Sequence, residues 1–167
     1  MRLIRRLQKL HYDGYMATLQ EFLTLLEGEY PDPKIRGKKF EPFLRDALIA
    51  SPSHQFVNVW CWEDAPCRDG SDRGIDLVAE DINGGLWGIQ SKLYDPDQSL
   101  GWKDLSTWVG TTRTDQWAGR LLVSTSANLT SNAKKELLDD EKTLMLLGED
   151  LFELPVVWSD SIRSKVN

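Results

Sequence analysis

The stretch GIDLVAEDINGGLWGIQSKLY, residues 74–94, constrains the fold more than any other part of the chain. Two apolar, β-rich runs flank a turn signal, Asn83-Gly84-Gly85, so the segment reads as an antiparallel hairpin. Three polar residues interrupt it: Asp76 in the first run, Gln90 and Lys92 in the second. Side chains alternate between the two faces of a strand. Ile75, Leu77 and Ala79 therefore share one face, and Asp76, Val78 and Glu80 the other. On the second strand Trp87, Ile89, Ser91 and Leu93 oppose Gly88, Gln90, Lys92 and Tyr94. Whether Asp76 joins Gln90 and Lys92 depends on the parity of the loop. A three-residue loop, Asn83-Gly84-Gly85, sets Ile82 opposite Leu86 and Asp76 opposite Lys92. A two-residue Asn83-Gly84 loop puts the acid and the lysine on opposite faces. Turn preferences allow both. With the odd loop, a carboxylate, an amide and an ammonium group converge. An Asp76–Lys92 ion pair on an exposed face, worth about 0–1 kcal/mol, accounts for two of them. A functional cluster is the alternative.

Around the hairpin the chain alternates helix and strand. Residues 14–29 carry Met16, Leu19, Phe22, Leu23 and Leu26 at helical spacing. Pro31 and Pro33 then break the chain, and a second helix is expected over 34–50. Its stripe is Phe40, Phe43, Leu44, Ala47 and Leu48, with Glu41 at the edge, either a solvated flank or directed inward. Strands are expected at 55–62 and 119–126, and in the KTLMLLG segment. Helices are expected at 102–112 and from a Thr130 or Ser131 cap to about 139, and LPVVW is a further short apolar piece. The order α-α-β-β-β-α-β-α-β describes one α/β domain.

Composition narrows the function classes. The 167 residues are 41% hydrophobic and 28% charged, ordinary for a globular chain. No apolar run approaches the roughly 20 residues of a membrane span, and no signal-peptide core follows the basic start, so a cytoplasmic location is expected. Cys61 and Cys67 are too few for a zinc site and are expected to be reduced structural thiols. His11 and His54 are the only histidines, which leaves little material for histidine catalysis. The net charge of −6 argues against a free-standing DNA-binding protein. It divides unevenly, +3 over residues 1–45 and −9 beyond, so nucleic acid is expected along the amino-terminal part.

An Asp, a turn, then Gln-x-Lys on the next strand resembles the active-site hairpin of the PD-(D/E)xK nucleases, in the form found in the Mrr-like branch. The matching positions are Asp76, Gln90 and Lys92, and "GKKFEPFLRDAL" with Glu41 resembles that branch's glutamate-bearing first core helix. Pro31-Asp32 is a decoy, because it precedes a helix; Ile75 stands where the literal proline of the motif would be. More specifically, GKKFEPFL, VWCWEDAP, DRGIDLVAE, LWGIQSKLYDPD, RLLVSTS and VVWSDSI resemble the amino-terminal nuclease domain of Type ISP restriction–modification enzymes. The resemblance implies a restriction-endonuclease-like core, a mixed central sheet flanked by helices. It divides the chain into an N-terminal helical extension, 1–33, and a nuclease domain, 34–167.

It also implies a Mg²⁺-dependent endonuclease acting on double-stranded DNA in restriction of foreign DNA, with Mn²⁺ able to substitute. Asp76, Gln90 through its amide oxygen, the Ser91 carbonyl and Glu41 are the implied metal ligands, and Lys92 would position water or stabilise developing charge. A helicase-like motor and a methyltransferase are implied partners. Lys38, Lys39, Arg73 and Ser124 are candidate DNA contacts, although a solvated helix face, a hydrophilic turn and helix capping explain them too. Trp60, Trp62 and Trp87 are assigned to packing. Two rival readings stand beside the nuclease: a catalytically inactive module of the same fold for DNA binding or assembly, and a protein–protein adaptor whose hairpin residues form a surface ion pair.

Overall fold

A computed structural model describes residues 18–51 and 53–154. The chain runs through α1 (Leu19–Glu29), α2 (Pro33–Ala50), β1 (Phe56–Cys61), a 3₁₀ turn (Trp62–Asp64), β2 (Leu77–Asp81), β3 (Leu86–Lys92), α3 (Trp102–Thr112), β4 (Gly119–Ser124), α4 (Ser131–Leu137), β5 (Thr143–Leu147) and α5 (Glu149–Phe152). The expected order holds, with two changes. Trp62 opens the 3₁₀ turn instead of ending the strand, and α5 follows β5. Residues 14–17, His11, most of LPVVW and all of VVWSDSI lie outside the described residues.

Local chemistry explains the helix starts. Thr18 caps α1 in a reciprocal capping box with Glu21. Asp32 caps α2 through Lys34 and Ile35, and Pro33 occupies the first turn, where its missing N–H costs nothing. Thr130 caps α4, accepting from the Ala133 N–H.

The five strands lie side by side in the order β1-β2-β3-β4-β5. β1, β2 and β3 are antiparallel; β3, β4 and β5 are parallel, joined through α3 and α4. The sheet is therefore mixed and covered on both faces. Leu77, Ala79, Ile89, Leu121 and Val123 pack on α1 and α2, where Phe22 sits 4.7 Å from the Phe43 ring. Val78 and Leu122 pack on α3 and α4 around Leu105, Trp108 and Val109. Gly88 lets α3 approach: a Cβ there would stand 2.5 Å from Thr112, and the Trp108 indole donates to the Gly88 carbonyl at 3.0 Å.

The hairpin has the expected odd parity but a register two residues away from the expected one. Leu77 pairs with Ile89 and Glu80 with Leu86. The loop is thus Ile82-Asn83-Gly84, and Asp76 comes level with Gln90, not Lys92. The cause is Asp81. Its Oδ1 accepts the N–H groups of Asn83 and Gly85, both at 2.9 Å, and its Oδ2 accepts the Trp87 indole at 2.9 Å. That arrangement closes the loop one residue early, with Gly84 at φ 79° where a left-handed residue is required.

Candidate active site

β2 begins at Leu77, so Asp76 lies just before its regular pairing. There the alternation expected from the sequence breaks. Ile75 packs with Val78 on the α3 side, not with Leu77 and Ala79. The backbone is held on both sides: the Trp62 N–H donates to the Asp76 carbonyl at 2.9 Å, and the Asp76 N–H donates to the Ile89 carbonyl at 2.8 Å. The carboxylate then meets β3. The Gln90 amide nitrogen and the Ser91 backbone N–H both donate to its Oδ2 at 2.8 Å. Oδ1 remains for another partner. Burial pushes the Asp76 pKa up, against the lowering effect of these two hydrogen bonds and of the Lys92 charge. Gln90 is 5% exposed and directs its NH₂ end, not its oxygen, at Asp76.

Glu41 resolves the question the helix pattern left open. It is 6% exposed, set among Phe40, Phe43 and Leu44 on the inward face of α2. Burial, and next the Asp76 charge, push its carboxyl up to about 7. Lys38 Nζ lies 3.1 Å from Glu41 Oε2 and also pairs with Glu63 of the 3₁₀ turn. Burial opposes the charged form of Lys38, but the hydrogen bonds to Glu63 and Glu41 outweigh it and raise its pKa. A cavity of about 240 Å³ opens beside these groups, lined by Lys38, Trp62, Glu63, Arg68, Ser71 and Asp76 among others. Glu63 did not stand out in the sequence, because nothing in VWCWEDAP shows that a 3₁₀ turn brings Glu63 to Lys38.

The remaining candidates divide. Lys38 belongs to the cluster. Lys39 sits on the other flank of α2, its ammonium 5.5 Å from the centre of the Tyr30 ring. Arg73 pairs with Asp69 within its own loop. Ser124 is fully buried, and its Oγ accepts the Ser126 N–H at 3.0 Å. The next two hydroxyls pin the chain leaving β3. Thr125 exchanges hydrogen bonds with the Tyr94 backbone, and Ser126 donates to the Pro96 and Gln98 carbonyls. Trp62, Trp87 and Trp60 pack against the two cores, as assigned. Cys61 and Cys67 are free thiols.

A carboxylate whose pKa is raised by burial and by a second carboxylate beside it, in a half-closed cleft, is a site whose negative charge is under-compensated. A hard divalent cation answers that need. No group of three or more His, Cys, Asp and Glu residues forms a metal cage among the described residues. Asp76 and Glu41 could hold such an ion, with Gln90 Oε1 and the Ser91 carbonyl as neutral oxygens nearby.

The comparisons agree with the geometry. The profile of a restriction endonuclease family, Mrr_cat_2, matches residues 50–167. The chain belongs to that restriction endonuclease family. The match includes Asp76, Gln90 and Lys92, whereas Glu41 lies ahead of it. No curated protein matches the chain. Among solved structures, the ATP-dependent Type ISP restriction–modification enzyme LlaBIII bound to DNA is similar at 26% identity and a TM-score of 0.65, over 82% of this chain and 9% of that one. The DNA modification-dependent restriction endonuclease AspBHI shares the fold at 15% identity and a TM-score of 0.53, over 99% of this chain and 39% of its own. The MspJI restriction endonuclease, in complex with a 27-mer oligonucleotide, does so at 17% identity and 0.51, over 87% and 31%. The chain thus spans less than half the length of each. The fold is restriction-endonuclease-like, as the sequence implied. No helix among the described residues is long and apolar enough to cross a membrane.

Proposed function

We propose that this chain is a divalent-metal-dependent DNA endonuclease domain, hydrolysing phosphodiester bonds of double-stranded DNA in restriction of foreign DNA. The observation that carries the reading is the meeting of Asp76 with Gln90 and the Ser91 N–H at the hairpin end, electrostatically coupled to the buried Glu41. Family membership supports the same class of chemistry. A divalent cation, Mg²⁺ or Mn²⁺, would be held by Asp76 and Glu41 and would supply the positive charge that neutralises the phosphate and makes water a better nucleophile. The chain's own residues do the rest. The Ser91 N–H and the Gln90 NH₂ group fix the Asp76 carboxylate, so that Oδ1 faces the ligand without reorganisation. Lys92, on the same strand, stabilises the charge that develops on the phosphate oxygens or positions the attacking water. Lys38 balances Glu41 before substrate arrives.

Residues 34–167 form the nuclease domain in this reading, and 1–33 an extension whose described helix α1 packs into the same core. The acidic balance and the partial coverage of LlaBIII support partnership with motor and methyltransferase modules that supply the DNA grip. The test is nicking of supercoiled plasmid in Mg²⁺ or Mn²⁺. Activity that disappears with EDTA and with Lys92→Ala supports the reading. A folded chain that binds DNA but leaves plasmid intact in Mn²⁺, even when joined to its motor, favours the inactive module of the same fold.

A further inference from the structure

We propose that Glu63 is a positioning residue of this site: it holds the Lys38 ammonium beside Glu41 and takes that ammonium over when a divalent cation reaches the carboxylates. The inference rests on the metal-dependent reading above.

The geometry is a three-membered chain. Lys38 Nζ bridges Glu41 Oε2, at 3.1 Å, and Glu63 Oε1. Its two partners differ. Glu41 is buried, whereas the Glu63 side chain is 44% exposed, so Lys38 spans from the interior to the rim. Glu63 is itself fixed. The Arg68 guanidinium donates to its carbonyl at 3.2 Å, and the neighbouring Trp62 N–H is bonded to the Asp76 carbonyl. One 3₁₀ turn therefore sets both Glu63 and the backbone of the site's central acid. Lys38, Glu63 and Asp76 line the same cavity.

The chemistry follows from charge. An ammonium is a compact cation on a flexible stem with three donors, so it exchanges partners readily. A cation seated at Glu41 repels the Lys38 ammonium. Glu63 gives that ammonium an anionic partner a short swing away. Without Glu63, Lys38 has Glu41 as its sole carboxylate partner, and an incoming ion must break that pair with nothing returned. Lys38 is the side chain that joins Glu63 to Glu41, so the effect of Glu63 passes through Lys38.

Calorimetric titration of the full chain with Mn²⁺ tests this, using Glu63→Gln, Lys38→Met, the double variant and Lys38→Arg. Lys38 and Glu63 are both about half exposed, and melting curves verify that each variant folds. Glu63→Gln should weaken Mn²⁺ binding by about threefold or more, and Lys38→Met should tighten it; in the Lys38→Met background Glu63→Gln should change it by less than about twofold. Lys38→Arg, which keeps the bridging cation, should restore the sensitivity to Glu63→Gln. The Mn²⁺ concentration for half-maximal nicking should shift in parallel. A Glu63→Gln effect of equal size in both backgrounds would show that Glu63 acts by its own field and overturns the proposal. So does a wild type that binds Mn²⁺ and nicks DNA while Glu63→Gln is silent; the nuclease reading then survives. A wild type that neither binds Mn²⁺ nor nicks overturns both.

Discussion

Two buried charged clusters in this molecule are built on opposite principles. Around Arg120, on β4, the charge is paired and four of the five guanidinium N–H groups are bonded. The guanidinium is 1% exposed and donates to Thr112 Oγ1 at 2.7 Å, to the Thr112 carbonyl at 3.1 Å, to Thr143 Oγ1 at 3.0 Å and to Asp140. It ties α3 to the β4–β5 edge. Around Glu41 and Asp76 the account does not close. Burial and the Asp76 charge push Glu41 toward protonation, one lysine is shared between two acids, and a cleft opens beside them. Burial alone does not distinguish structure from function here. The degree of compensation does: a saturated buried charge holds the fold, and an under-compensated one awaits a ligand.

The largest effect expected from this contrast is at the saturated cluster. Arg120→Ala leaves Asp140 and the Thr112 carbonyl without their partner and should cost about 3–5 kcal/mol, lowering the melting temperature by about 10 °C. If Arg120→Ala melted like the parent, the contrast would fail at its structural end. Next comes the site. Lys92→Ala should reduce plasmid nicking by about 10²-fold or more while the melting temperature moves by less than about 2 °C. A loss of activity that merely tracks a loss of fold would make Lys92 a second Arg120. Glu41→Gln sharpens the comparison because its two effects should have opposite signs. Removing a destabilised charge should raise the melting temperature of the metal-free chain, yet abolish most of the metal-dependent nicking.

The smallest effect is a slope with pH. The Glu41 carboxyl titrates at about 7 in the folded chain against an ordinary value of 4.5, so between those values the native state holds more protons than the unfolded one. The contribution of Glu41 to stability should therefore be greatest below 4.5, fall as pH rises to about 7, and level off above it. Asp76 is shifted the same way and adds to the trend. Thermal melts of the metal-free parent and of Glu41→Gln check this; the variant should lose most of the slope.

Much of the fold was legible because its signals are local and periodic. The stripe of α2 and the cap at Thr130 follow from spacing and capping chemistry. The register was not. Reading Asn83-Gly84-Gly85 as the loop overlooked Asp81, whose side chain closes the turn one residue early. The family of the chain, and the residues to inspect, could be read from the Asp76, Gln90 and Lys92 pattern. The inward turn of Glu41 could not, because helix periodicity places an edge residue on either side of the boundary. Lys38 and Glu63 were invisible as a pair, since their meeting depends on how a 3₁₀ turn docks on α2.

The hydrogen bond from the Trp62 amide to the Asp76 carbonyl carries a further consequence. It lies just beyond the last regular rung of β2, where a sheet frays first. Opening there would release the acid and swing the 3₁₀ turn away in one motion, with the rest of the domain intact. The fraction of molecules ready to work would then be set by a local opening equilibrium, and amide exchange at Trp62 and Ser91, measured with and without Mn²⁺, would read that fraction directly.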